Sequence, residues 1–182
     1  MYKSYNVNGQ LLKREKITIL VFLLLIKSLI LLIWLYHLNR EEKMIKKKNP
    51  FVIISAERFT LTKGENQKRH QELLNQLKRD GFKTKVVEGV YHGQTEKSIL
   101  VLLDSKFLSV DLGYMKNYGM IFDQESILFV DADRKAELHF PATNKAEKLG
   151  NFVAVSKGIA IQCDNYTQDG RDFYICDLAG VA

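Results

Sequence analysis

Apolar and polar positions divide the chain into two unlike parts. Residues 17–36 form one nearly continuous apolar run, Ile-Thr-Ile-Leu-Val-Phe-Leu-Leu-Leu-Ile-Lys-Ser-Leu-Ile-Leu-Leu-Ile-Trp-Leu-Tyr. From Phe51 onward the apolar residues come in short bursts separated by Gly, Asp and Asn, the pattern of a domain built from short elements. The run at 17–36 has about the length a helix needs to cross a bilayer. Its fifteen Leu, Ile, Val and Phe residues favour insertion by at most ~4–9 kcal/mol, against ~2.5–3.5 kcal/mol for Lys27 near the middle. Trp34 and Tyr36 stand at one end, as interface anchors do. Lys27 reads either as a contact within the membrane or as a lysine that snorkels. No small-x-small site follows the run, which argues against a cleaved signal peptide.

The domain can be read in order. Pro50 ends whatever precedes it, and Phe51–Ser55 is a continuous apolar run, as in a strand buried on both faces. Thr62-Lys-Gly-Glu65 matches a capping box, predicting a helix to about Arg79 with Asp80-Gly81 as its stop. His70, Leu73, Leu74 and Leu77 share one face of it. Over 82–90 the alternation places Phe82, Thr84 and Val86 inward and Lys83 and Lys85 outward. This segment and Lys97–Leu103 are expected to form a hairpin over a long loop, Tyr91–Glu96. A second helix is expected over about 106–120, with Leu108, Leu112 and Met115 in its buried stripe. Ser126–Val130 and Lys135–Phe140 read as a hairpin. Residues 142–150 read as a polar loop, and 151–156, 159–162 and 171–176 as short strands. The fold class expected is therefore α+β: an N-terminal transmembrane helix, then one small mixed sheet packed with two helices. The organisation is a basic tail over 1–16, a transmembrane helix over 17–38, a charged linker over 39–50 and the domain over 51–182. Met44 stands just before the first strand, and translation starting there would leave a soluble cytoplasmic domain without the apolar run.

Charge sharpens this division. Residues 1–43 carry 7 Lys and Arg against 3 Asp and Glu, while 44–182 carry 20 against 18. The basic balance belongs mostly to the N-terminal region. That suits an anionic membrane surface and disfavours nucleic acid, which needs a basic face on the folded part. Basic residues flank the apolar run 4 against 5, a small excess placing the domain on the cytoplasmic side of a single-pass protein. Cys163 and Cys176 have no metal-ligand spacing and read as buried free thiols, with a disulfide only in an oxidising compartment.

No nucleophile elbow, P-loop, dinucleotide fingerprint or zinc signature is present, and the pattern assigns no cofactor and no metal. Asp131 and Asp133 would share a strand face and could hold Mg²⁺, although Asp-Ala-Asp at a hairpin also reads as turn chemistry. The candidate binding set is Ser55, Glu57, Arg58, Asn66, Arg69, Tyr91 and Glu96. Two arginines near a helix N-terminus suit a phosphate or carboxylate, and Tyr91 could stack on a base or sugar. The same charges, Glu57, Arg58, Glu65 and Arg69, could instead neutralise one another as a structural network.

Phe51-Val-Ile-Ile-Ser-Ala-Glu-Arg58, Glu65-Asn-x-x-Arg69, Gly89-Val-Tyr-x-Gly93, Glu96-x-Ser98 and Asp123-Gln-Glu-Ser-Ile-Leu-Phe129 occur in an order that resembles a domain-of-unknown-function family of bacteria and tailed phages. The resemblance covers about 51–140. It implies a small α+β domain with no established activity, and makes Glu57, Asn66, Arg69, Tyr91, Glu96 and Glu125 motif positions without roles. The function expected is a membrane-anchored binding or interaction protein, held in the lipid bilayer through 17–36, that recognises an anionic small molecule or a host protein. The alternative is a metal-assisted phosphoesterase or nuclease working through Asp and Glu.

Overall fold

The computed structural model describes residues 23–33, 45 and 48–177. The chain divides into two compact units, Met1–Glu41 and Glu42–Ala182. In the first, residues 23–33 are helical (α1). At ~1.5 Å per residue this is about half the thickness of a hydrocarbon core. Among the described residues no helix is long and apolar enough to cross a membrane. The expected transmembrane helix is corrected accordingly; its remaining parts, 17–22 and 34–38, lie outside the described residues.

The second unit is a closed eight-stranded barrel, and not a small mixed sheet. Its strands are β1 (Phe51–Ser55), β2 (Lys83–Tyr91), β3 (Gln94–Leu102), β4 (Ile127–Val130), β5 (Lys135–Phe140), β6 (Lys145–Val155), β7 (Tyr166–Asp169) and β8 (Asp172–Asp177). They run β1-β3-β2-β7-β8-β6-β5-β4 around the barrel, every neighbour antiparallel. Closure comes from β1, which pairs on one side with β3, Ile53 opposite Leu100, and on the other with β4, Ile53 opposite Leu128. A closed sheet has no unpaired edge to protect.

Two helices cover one side: α2 (Lys63–Arg79) and α3 (Leu108–Ile121). A third, α4 (Lys157–Ala160), is a single turn where a short strand was expected. The Thr62–Glu65 capping box is formed in full, and Asp80 closes α2.

Strand alternation sorts the apolar residues into two layers. Val52, Ile54, Ile99, Val101, Ile127 and Phe129 face outward under Leu73, Leu77, Met115 and Tyr118 of the helices. Phe51, Ile53, Val87, Leu100, Val130, Ala136, Phe152 and Tyr174 fill the lumen. There Phe152 stacks on Tyr174 at 5.1 Å and meets Phe51 edge-on at 5.4 Å. β1 reads as a continuous apolar run because both of its faces are covered. Helix α3 approaches the barrel closely at Gly119, where a Cβ would stand 2.6 Å from Pro141 Cγ.

Three local expectations change. His92 and Gly93 both take positive φ, 50° and 73°, and Tyr91 pairs with Gln94. The expected long loop is thus a two-residue hairpin turn, and Tyr91 and Glu96 are strand residues. β2 carries Val87, not Val86, into the lumen: Val86 is 48% exposed and Val87 3%. Lys85 goes inward with it and is neutralised by Asp169 at 2.6 Å, as a charge withdrawn from water requires. Finally, β6 begins at Lys145, inside the stretch read as a loop, because residues 145–148 are exposed and carry no apolar alternation.

Candidate functional site

Residues paired across strands share a face. Ser55 is opposite Ser98, and Ser98 opposite Val87, while Glu96 lies opposite Gly89 and Tyr91 opposite Gln94. Phe51, Ile53 and Ser55 point the same way along β1. Ser55, Gly89, Tyr91, Glu96 and Ser98 therefore face the lumen at the mouth where β1 and β2 end and β3 begins. Below them the lumen is filled mostly by the apolar residues named above, with the Lys85–Asp169 pair among them.

Glu96 is the central group of this mouth. Ser98 Oγ donates to Glu96 Oε1 at 3.4 Å. Ser55 Oγ donates to the Lys97 carbonyl at 3.1 Å and stands beside the Glu96 carboxylate. Burial holds the Glu96 carboxyl above the usual range and the charge of Glu57 adds to this, while the Ser55 and Ser98 hydroxyls work in the opposite direction. Tyr91 stands beside it. Burial first, then the negative charges of Glu125, Glu147 and Glu96, raise its phenol, and a hydrogen bond with Ser126 partly offsets them. The charge of Glu57 thus acts on Glu96, and those of Glu125, Glu147 and Glu96 on Tyr91.

Glu57 lies just beyond β1. Its Oε2 accepts from the Lys97 N–H at 3.1 Å, and its own N–H donates to Ser55 Oγ at 3.0 Å. His70 of α2 lies near the Lys97 backbone as well. Its imidazole is held below its ordinary value chiefly by burial, with the Glu57 charge opposing.

The remaining candidates gather around the connection from β1 to α2. Asn66 Oδ1 accepts from Arg58 N–H and Asn66 Nδ2 donates to Arg58 C=O, both at 2.9 Å. Arg58 Nη1 pairs with Asp123 at 3.1 Å. Arg69 donates from Nε to Ala56 C=O at 2.8 Å and from Nη2 to Phe122 C=O at 2.6 Å. Gln124 Nε2 reaches Glu57 C=O at 3.2 Å. The structure thus brings Ser55, Glu57, Tyr91 and Glu96 to the mouth, and engages Arg58, Asn66 and Arg69 with backbone and Asp123. Sequence reasoning missed Ser126 and Glu147 as neighbours of Tyr91. Parity along β4 pointed to the first, but no signal marked the second.

Asp131 Oδ1 accepts from the N–H groups of Asp133 and Lys135, which is turn chemistry. Among the described residues no group of three His, Cys, Asp or Glu side chains is placed to hold a metal ion. A cleft of about 790 Å³ lies away from the mouth, bordered by Asp80, Phe82, Lys83, Asp104 and Tyr114. Its Asp104 Oδ1 is taken by the Lys106 N–H, and Asp111 Oδ2 by the Asp104 N–H.

Comparison with curated proteins finds no match. The model of the S-adenosylmethionine lyase family matches residues 52–177, from β1 through β8. It takes in β6, β7 and β8, which the resemblance read from the sequence left out, and names a family with an activity where that resemblance implied none. With more than half of the chain matched, this protein belongs to the S-adenosylmethionine lyase family.

Proposed function

We propose that the barrel mouth binds S-adenosylmethionine and cleaves it as a lyase. The observation that carries this, beside the family, is a largely buried carboxylate, Glu96, at the barrel mouth beside Tyr91, whose phenol also feels the charges of the exposed Glu125 and Glu147. S-adenosylmethionine carries an ammonium and a sulfonium, and carboxylates suit both. The anionic ligand expected from Arg58 and Arg69 has less support, since both guanidinium groups are engaged along the β1–α2 connection. No arrangement among the described residues supports a metal-assisted phosphoesterase.

The chemistry needs no cofactor. The bond between sulfur and the methionine γ-carbon breaks, and its electron pair stays on sulfur, which leaves as the neutral thioether 5′-methylthioadenosine. The γ-carbon is satisfied in one of two ways without water. The substrate's own carboxylate oxygen bonds to it, closing a lactone, or a base takes a β-proton and an alkene forms. Either route destroys the sulfonium charge. A weakly solvated lumen favours loss of charge over its retention. Glu96 and Glu125 hold the ammonium in this reading, and the Tyr91 phenol orients the substrate carboxylate.

The test is incubation of the full chain with S-adenosylmethionine, with products separated and weighed by mass spectrometry. Release of 5′-methylthioadenosine with a lactone or an unsaturated amino acid supports the reading; unchanged substrate overturns it.

A further inference from the structure

β1 stops at Ser55 while β3 continues toward the turn, beginning at Gln94. The Lys97 peptide therefore presents its N–H and C=O to a place where β1 has already ended, and an unpaired backbone group there would be costly. Two side chains stand in for the missing strand. Glu57 Oε2 accepts from the Lys97 N–H at 3.1 Å. Ser55 Oγ donates to the Lys97 C=O at 3.1 Å. His70 of α2, only 8% exposed, lies near the same backbone. Lys97 lies between Glu96 and Ser98, which face the mouth. Its orientation sets the direction in which the Glu96 side chain enters the lumen.

We propose that Glu57 is a positioning residue for Glu96: through the Lys97 N–H, and with Ser55 on the Lys97 carbonyl, it fixes where the Glu96 carboxylate stands. Glu57 needs no contact with substrate to do this. The inference rests on the lyase reading only for its effect on turnover, since the positioning itself is a property of the free protein. A shift of about 1 Å in a reacting group can cost ~100-fold in rate, so an anchor one peptide away has leverage.

Two variants separate the acceptor from the charge. Glu57→Gln keeps an acceptor oxygen at the Lys97 N–H; Glu57→Ala removes it. Both alter an incompletely buried side chain, so the barrel should persist. Two readouts are taken on the full chain: the Lys97 amide and Glu96 carboxyl resonances by NMR across pH, and kcat and KM separately. Other titrating or charged groups near this cluster are His70 on α2, Lys97 itself, Tyr91 on β2, Glu125 before β4 and Glu147 on β6. Their resonances are followed in parallel.

The Lys97 amide resonance moves in Glu57→Ala, which removes its acceptor, and moves less in Glu57→Gln, which keeps one. Glu57→Ala displaces the Glu96 resonance and lowers kcat by ~10- to 100-fold with KM within about threefold, while Glu57→Gln recovers most of kcat. A Glu96 resonance and kcat both unmoved in Glu57→Ala overturn the proposal. So does a Glu57→Gln variant as slow as Glu57→Ala, which makes the charge the operative feature. If the unmodified chain does not cleave S-adenosylmethionine, the lyase reading falls while the NMR arm still decides this one: a Glu96 resonance displaced further in Glu57→Ala than in Glu57→Gln supports it, and one unmoved or displaced equally in both refutes it.

Discussion

Gly89 leaves the space that Glu96 occupies across the β2–β3 ladder. A Cβ at position 89 would stand 3.0 Å from Ser98 Oγ, 3.6 Å from Glu96 Cγ and 3.7 Å from Glu96 Oε1. The glycine is not there for a left-handed backbone, since its φ is not positive. It is there because a second side chain on that face would press on the carboxylate and its serine.

Gly89→Ala follows from this relationship. The backbone accepts alanine, and a glycine in a strand is itself unfavourable by roughly 0.5–1 kcal/mol, so the variant should be no less stable by thermal melting. The Ser98 hydroxyl and Glu96 must move, and S-adenosylmethionine cleavage should fall by at least ~10-fold. A loss of stability with activity retained would assign Gly89 to the fold and not to the site.

Glu96→Gln should abolish measurable cleavage and leave the barrel folded. It should also change how stability depends on pH. The folded carboxyl titrates above its ordinary value of 4.5 because burial disfavours its charge. Between that value and the raised folded one, the native state holds a proton that the unfolded chain has released. Stability therefore falls as pH rises through this window. Removing the carboxyl should flatten that fall, so Glu96→Gln gains stability relative to the unmodified chain as pH rises. Denaturant titrations at a series of pH values rising from below 4.5 measure it; the same pH dependence in both proteins would show that Glu96 does not titrate in this way.

Arg69→Ala should destabilise the second unit by about 2 kcal/mol, the scale of losing charged hydrogen bonds to the backbone. Arg69 ties Ala56 C=O to Phe122 C=O and lies 5.7 Å over the Phe122 ring. Arg69→Lys should recover little, because one ammonium cannot span two carbonyls as a planar guanidinium does. Full recovery by lysine, read from urea midpoints, would mean that charge alone is sufficient there.

Gly119→Ala tests the contact between α3 and the barrel. Alanine is the better helix former by ~1 kcal/mol, yet its Cβ would fall 2.6 Å from Pro141 Cγ. Overpacking of this kind costs ~1–3 kcal/mol, so a net loss is expected in the same urea titration. A net gain would mean that Pro141 yields freely.

Much of the local structure was legible in the residues. Thr62 and Glu65 announced the start of α2, and Asp80-Gly81 its end, because capping is a property of a few adjacent residues. Closure of the barrel was not legible. It depends on β1 meeting β4 far along the chain, and the short apolar run Ile127–Val130 reads the same way in an open sheet as in a closed one. The long loop over Tyr91–Glu96 was misjudged because positive φ at His92 is a cost only the assembled hairpin can impose. The candidate site was legible in part for one reason: polar residues at the ends of apolar strands gave Ser55, Glu57, Tyr91 and Glu96. Arg58 and Arg69 looked like anion ligands because their carbonyl and Asp123 partners lie on other elements. The apolar run at 17–36 carried the membrane expectation by composition alone, and the described helix within it is short.

The most direct test of the account is cleavage of S-adenosylmethionine by the full chain in water enriched in the heavy oxygen isotope. A lyase uses no water in the step that breaks the carbon–sulfur bond. The account predicts 5′-methylthioadenosine together with a lactone or alkene product free of the heavy isotope, with no products from Glu96→Gln. Homoserine formed directly with heavy oxygen on its γ-carbon, or equal turnover by Glu96→Gln, would contradict it.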